Sequence, residues 1–192
     1  MPKTVPPVVP AGRMAAMDQP VIEAPGGLRL RRLEAQDAGT LVRAFADPAI
    51  RHYHGRSFES VDEAIEFVQS THEGWSGEKT AAWAVEQADG TMAGRVGLSF
   101  IDLEHGIAEI SYWVLPEARG RGVSVAAASA LVDWAFDVLG VHRLEIVHSM
   151  TNAASCAVAA TLGFAVEGTL RSCLLHDDGW HDMHLHSRIR SE

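Results

Sequence analysis

Apolar residues recur along this chain with two periods, and the switches between them mark out its elements. Leu28-Arg-Leu-Arg-Arg-Leu33 alternates with period two and predicts a strand. Ala38 to Ala46 predicts a helix, with Asp37 placed to cap it and Pro48 close behind its end. Ser60-Val-Asp-Glu63 has the spacing of a capping box, and Val61, Ala64, Ile65 and Val68 then share one helical face. Ala81 to Glu86, Met92 to Ile101 and Ala108 to Val114 read as an antiparallel meander, its first turn at Asp89-Gly90. Val123 to Leu139 predicts an amphipathic helix through Val123, Ala127, Leu131, Trp134 and Val138, with Gly140 as its C′ residue. A strand over His142 to His148 and a short helix over Asn152 to Leu162, stopped by Gly163, follow. Phe164 to Leu175 and His181 to Ile189 close the chain as strands joined through Asp178-Gly179. The order is β-α-α-β-β-β-α-β-α-β-β, an α/β chain with about seven strands.

Residues 1–27 stand apart. They hold six of the eight prolines and show neither period, so they predict an extended or disordered tail. Met14 and Met17 are alternative starts within it. Residues 28–192 are expected to form a single domain, which suits a chain of 192 residues.

Composition adds exclusions. At 47% apolar and 21% charged the chain is neither fibrous nor mainly disordered. A net charge of −9 makes it a poor general binder of phosphate backbones and favours cationic partners, so no nucleic-acid partner is expected. Cys156 and Cys173 are too few for a disulfide framework or a four-cysteine zinc site, and fit a reducing compartment. No apolar run approaches the ~20 residues of a membrane span, and Pro2, Pro6, Pro7 and Pro10 interrupt any signal-peptide core. The expectation is a cytoplasmic protein with no membrane partner.

The stretch Tyr112-Trp-Val-Leu-Pro-Glu-Ala-Arg-Gly-Arg-Gly-Val-Ser-Val125 carries the chemistry. A strand ends near Leu115, a basic glycine-containing turn follows, and a long helix begins near Val123. Gly120 and Gly122 let the backbone turn with its amides inward, and the helix adds unpaired N–H groups and the positive end of its dipole. That builds an anion site suited to a pyrophosphate, with Arg119 and Arg121 at its rim. It lacks the Gly-Lys-Ser/Thr end of a P-loop, and it follows a meander, unlike a dinucleotide fingerprint.

Arg119-Gly-Arg-Gly-Val-Ser124 resembles the Arg/Gln-x-x-Gly-x-Gly/Ala signature of the GNAT superfamily of N-acetyltransferases, with Ser124 in place of the usual last small residue. Ala108-Glu-Ile-Ser-Tyr-Trp-Val114 precedes it. Trp134-Ala-Phe136, Gly140-Val-His-Arg-Leu-Glu145, Asn152-Ala-Ala-Ser155, Leu162-Gly-Phe164 and Glu167-Gly168 follow in order. This string is similar to the branch of ribosomal-protein N-terminal acetyltransferases (RimJ/RimL-like) and covers about residues 28 to 190.

The resemblance implies a mixed, mostly antiparallel sheet with two splayed central parallel strands and helices on both faces. Acetyl-CoA is then the cosubstrate, its pantetheine arm lying between Ala108–Val114 and His142–His148. Backbone groups of Trp113 and Val114 would pair with the arm, much as an added strand would. Arg119, Gly120, Arg121, Gly122, Val123 and Ser124 would hold the pyrophosphate. Asn152 would hydrogen-bond the arm, and it is equally suited to cap the next helix. Ser155, one turn on, would protonate the departing thiolate, or be a plain helix serine. Glu109 is the first candidate for the base that deprotonates the amine; strand alternation puts it on one face with Ser111 and Trp113. Its alternative role is recognition of a cationic acceptor. The branch's proposed base on the strand after Gly168 is replaced here by Leu174, with His176 and Asp177 in reserve. The His52-Tyr53-His54 stretch and the Thr71–Thr80 loop would flank the acceptor's way in.

No metal is expected. His184 and His186 share a strand face, with His176, His181 and Asp182 in the same hairpin; a zinc site is conceivable there, but polar residues facing outward from a hairpin are the expected reading, and Cys156 reads as helix packing. The acceptor would be a primary amine, either a small molecule or a peptide or protein N-terminus, and a homodimer is compatible with the resemblance. Two alternatives stand beside acetyl transfer: an acyl-CoA-binding sensor or scaffold without turnover, and a transferase for another acyl group such as succinyl.

Overall fold

The computed structural model describes residues 5–190. One sheet of eight strands runs in the order β1-β2-β3-β4-β5-β6-β8-β7. Its strands are β1 (Ile22–Ala24), β2 (Leu28–Arg32), β3 (Ala81–Glu86), β4 (Met92–Asp102), β5 (Ile107–Val114), β6 (Arg143–Ser149), β7 (Ala165–His176) and β8 (Gly179–Ile189). Every neighbouring pair is antiparallel except β5 and β6. The helices are α1 (Ala38–Ala46), α2 (Pro48–His54), α3 (Val61–Ser76), α4 (Val123–Trp134) and α5 (Ala153–Thr161).

Strand alternation sends alternate side chains to two cores. On β3, Trp83 and Val85 join α4 and α5 in the larger core, while Ala82 and Ala84 join α1, α2 and α3 in the smaller. On β5, Ala108 and Ile110 face the α4/α5 side and Trp113 faces the α1–α3 side. Trp75, Trp83 and Trp134 meet in the larger core with ring centroids 5.2–5.9 Å apart, so aromatic packing ties the end of α3 to β3 and α4.

Three differences from the sequence reading have local causes. Pro48 opens α2, its ring tolerated at the first helical position, and Asp47 caps that helix by accepting from Ile50 N–H. Beyond Trp134 the helix widens into a π turn over Ala135–Leu139, which advances the buried face by one residue; Leu139 is buried and Val138 is exposed. At α3, Ser60 Oγ accepts from Glu63 N–H, but Glu63 reaches back to Glu59 N–H, one residue earlier than a capping box requires. Val61, expected on that helix's buried face, is exposed.

The expected tail is not disordered over its described part. Its Ile22–Ala24 adds β1 to the sheet edge against β2. Val9 and Met14 are buried at 2% and 0% exposure. Glu78 collects the N–H groups of Gly12, Met14 and Ala15 at 2.7–3.1 Å. The indoles of Trp75 and Trp83 donate to Met17 O and Pro20 O. Proline and the missing period prevent a helix here, yet side chains elsewhere satisfy the segment's backbone groups.

Candidate active site

The site begins where the two parallel strands part. β5 and β6 pair only over Ile107–Glu109 against Arg143–Glu145, and from Ile110 onward β5 leaves that partner. The β4 side stays paired: Leu115 N–H donates to Ala93 O, and the register continues through Arg95↔Trp113 and Gly97↔Ser111. In an antiparallel ladder hydrogen-bonded and non-bonded pairs alternate, so the backbone of Ser111 and Trp113 is committed to β4. The groups facing the opening are those of Tyr112 and Val114. Tyr112 O accepts from His54 Nε2 at 3.2 Å and Val114 O from Arg119 Nε at 3.2 Å. This corrects the expectation for Trp113. Its backbone pairs with β4 and its side chain is buried against Phe45, so Val114 with Tyr112 lines the gap.

Below the gap the chain turns through Gly120 and Gly122, both at φ +74. An added Cβ would meet nothing within 4 Å at either, so backbone conformation and not space demands glycine. Gly122 is the N-cap of α4 with no side chain over it, and the first helical bond shown runs from Ala126 N–H to Gly122 O. The N–H groups of Val123, Ser124 and Val125 therefore begin the helix without intrahelical partners. Arg121 is exposed. Arg119 is not a free rim charge: its Nη2 lies 2.8 Å from Asp47, whose carboxyl it holds below the usual range, and it thereby ties the loop to α2.

On the α4/α5 side of the gap, Asn152 caps α5 by accepting from Ser155 N–H at 3.1 Å. Ser155 is buried, and its Oγ lies 2.8 Å from the hydroxyl of Tyr112. Burial pushes the Tyr112 phenol up to about 12, so the hydroxyl keeps its proton across ordinary pH. Sequence reasoning missed Tyr112. Strand parity was the available signal, since Tyr112 falls on the face opposite Glu109, where α5 sits.

Glu109 lies on the α1–α3 side, at the last rung of the β5–β6 pairing and opposite Glu145. Burial, with the Glu145 charge beside it, raises its carboxyl to about 7. Arg143 holds Glu145 at 2.6 Å and also pairs with Glu167. Farther along the same face Arg95 donates to Ser111 Oγ at 3.1 Å, while its Nε is buried without a partner among the described residues.

Leu174 is exposed, but the reserve candidates beside it are engaged at the hairpin tip. His176 Nδ1 lies 3.0 Å from His52 O, and Asp177 lies 2.5 Å from His52 Nδ1. His181 stacks on His176 and bonds Ser149 Oγ and Asp178. The structure thus brings α2 and the β7–β8 hairpin together. His184 and His186 do not face outward as expected: His186 is 1% exposed and stacks against His148.

Among the described residues no helix is long and apolar enough to cross a membrane. The Acetyltransferase (GNAT) domain model matches residues 27–165. The chain is 27% identical to an uncharacterized N-acetyltransferase, YoaA of Bacillus subtilis, over 89% of this chain and 97% of that one. It is 28% identical to spermidine N(1)-acetyltransferase of Escherichia coli K12, over 74% of this chain and 75% of that one. Among solved structures, Mycobacterium smegmatis RimJ in complex with CoA-disulfide shares the fold, with TM-score 0.80 and 24% identity, over 88% of this chain and 86% of that one. A parallel pair that opens beside an uncapped helix N-terminus, and a family match spanning most of the chain, lead to one conclusion: the protein belongs to the GNAT family of acetyltransferases and is an N-acetyltransferase.

Proposed function

We propose that the chain transfers an acetyl group from acetyl-CoA to a primary amine by direct attack within a ternary complex. The observation that carries this reading is the division of proton-handling groups about the opening between β5 and β6. Glu109 lies on one side of the sheet and the Tyr112–Ser155 pair on the other. An amine arriving from the α1–α3 side meets a carboxylate raised to about 7, which suits a base for an alkylammonium at neutral pH. The thiolate departs toward the α4/α5 side, where it takes the Ser155 hydroxyl proton while Ser155 takes one from Tyr112; the second proton, lost from the amide nitrogen as the C–S bond breaks, goes to solvent water, from which Tyr112 is reprotonated.

Acetyl-CoA supplies the activated acyl group. Tyr112 and Val114 backbone groups and Asn152 orient the pantetheine arm. The amides of Gly120 to Ser124 receive the pyrophosphate with Arg121, while Arg119 fixes the loop through Asp47. The domain proper runs over residues 28–192, with the docked N-terminal segment buttressing its edge strand.

The acceptor is a cationic amine. A net charge of −9 and the Glu109–Glu145 pair support that class. Relatives named for spermidine and for ribosomal proteins span its two forms, a small polyamine and a protein N-terminus. The test is release of free thiol from acetyl-CoA over a panel of polyamines, amino sugars and N-terminal peptides. Turnover above hydrolysis with at least one amine, lost in Glu109→Gln, supports the reading. Tight acetyl-CoA binding with no amine-dependent release across the panel would instead favour a sensor, and faster release from succinyl-CoA another acyl group.

A further inference from the structure

His148 of β6, His184 and His186 of β8 and Cys156 of α5 each offer a ligand atom, and the four atoms lie within 4.8 Å of one another. They belong to three elements. His148 and His184 are cross-strand partners, His186 is the next residue on that face, and Cys156 comes down from the helix above.

The ring orientations are the informative feature. His148 Nδ1 lies 2.8 Å from Ser149 O, and His186 Nδ1 lies 3.4 Å from Phe164 O. A carbonyl oxygen only accepts, so at 2.8 Å the His148 ring donates from Nδ1 and presents Nε2 as a lone pair, while the longer His186 contact leaves that ring's proton free to sit on either nitrogen. The Nε2 atoms of His148 and His186 face each other 3.0 Å apart in a buried site. When His186 also donates from Nδ1, two lone pairs meet there, and a cation bound by both relieves their repulsion. His184 Nδ1 is also buried and has no hydrogen-bond partner among the described residues. Backbone carbonyls on the far nitrogens are the usual outer support of metal-bound imidazoles.

We propose that His148, Cys156, His184 and His186 form a structural zinc site that clamps α5 to β6 and β8. One sulfur and three imidazoles suit a borderline-soft divalent ion, and tetrahedral ligand atoms around zinc stand about 3.3–3.8 Å apart, which small side-chain rotations reach from the present spacing. Four protein ligands leave no position for substrate, so the site is structural. Binding releases one proton, that of the Cys156 thiol, while the imidazoles bind neutral. The clamp holds the helix on which Ser155 precedes Cys156, and it stands independently of the acyl-transfer reading.

Cobalt titration of the metal-free full chain tests this. Expected is one equivalent bound, with the d–d bands of a tetrahedral ion and a thiolate-to-cobalt charge-transfer band. Cys173 is exposed and outside the cluster, so Cys173→Ser keeps the charge-transfer band and Cys156→Ser removes it. Zinc competition against a chromogenic chelator should weaken roughly a hundredfold in His186→Asn. His176→Gln, in the separate hairpin-tip cluster, should leave it unchanged. Absence of the charge-transfer band in the wild-type chain at saturating cobalt would overturn the site, whatever the variants do. So would its survival in Cys156→Ser.

Discussion

The hydroxyls of Tyr112 and Ser155 lie 2.8 Å apart, joining the open edge of β5 to the first turn of α5. Ser155 is fixed from both ends, since its N–H is also held by Asn152. If this pair supplies the thiolate's proton, Ser155→Ala lowers kcat by roughly 10²-fold, with acetyl-CoA affinity little changed. Tyr112→Phe keeps the ring's packing and lowers kcat less. The double variant falls little below Ser155→Ala, because groups in one proton path are not additive. Stopped-flow thiol release and calorimetry on the four proteins measure both quantities; fully multiplicative losses would separate the two residues.

Glu109 gives a pH dependence of definite sign. The carboxylate is the active form of a base, so kcat/KM rises as pH passes through about 7 and levels above it. Glu109→Gln removes that limb and lowers the plateau. Stability follows the opposite course. The folded pKa is raised above the unfolded value, so the native state binds the extra proton between the two. Stability therefore falls as pH rises from the unfolded pKa through about 7. Glu109→Gln should raise Tm more at pH 8.5 than at pH 5, as read by thermal scans at the two values. An equal shift at both would contradict the raised carboxyl.

Much of this was legible because local rules governed it. The period-two runs became β2 to β5, and the glycine turn before Val123 became an uncapped helix N-terminus. What escaped depended on partners distant in sequence. Nothing local says that Arg119 spends its charge on Asp47, or that the backbone of Trp113 belongs to β4. His186 looked like an outward hairpin residue until the β6–β8 register set it across from Ile146 and under α5. Leu174 removed the expected glutamate, and strand parity put Tyr112 on the face of α5 without giving its 2.8 Å contact with Ser155.

The N-terminal segment shows the same limit, and its docking departs from the expectation of an extended or disordered tail. Burial of Val9 and Met14 contributes about 1.5–3 kcal/mol each. Removing residues 1–21 should therefore lower Tm by about 6–12 °C, taking a loss of roughly 3 kcal/mol and 2–4 °C for each. Glu78 adds a pH signature. Against its desolvation, the N–H groups of Gly12, Ala15 and Met14 hold its carboxyl below the usual value. That contribution is present above the unfolded pKa and is lost as pH falls through the folded one. Glu78→Gln should thus lower Tm at pH 7 and have little effect near pH 3. Differential scanning calorimetry of both proteins checks this, and an unchanged Tm on truncation would detach the segment from the domain.

Gly122 separates conformation from space in the pyrophosphate loop. Its φ of +74 lies where L-residues are strained, yet a Cβ would touch nothing within 4 Å. A bulky side chain such as that of Gly122→Trp would obstruct the ligand and strain the backbone together, so its effect cannot be divided. Gly122→Asn and Gly122→Val divide it. Asparagine tolerates the left-handed region, and valine, branched at Cβ, does not. If the uncapped amides of Val123 to Val125 hold the pyrophosphate, affinity for CoA depends on the turn keeping its shape. Gly122→Asn should then weaken CoA only severalfold, whereas Gly122→Val should weaken it by about tenfold or more, the equivalent of the 1–2 kcal/mol that left-handed backbone costs such a residue. Pantetheine serves as the internal control. Pantetheine lacks the pyrophosphate, so its weaker binding should be the same in all three proteins. Equal losses for CoA and pantetheine would mean that the turn supports the gap between β5 and β6 and does not itself grip the pyrophosphate.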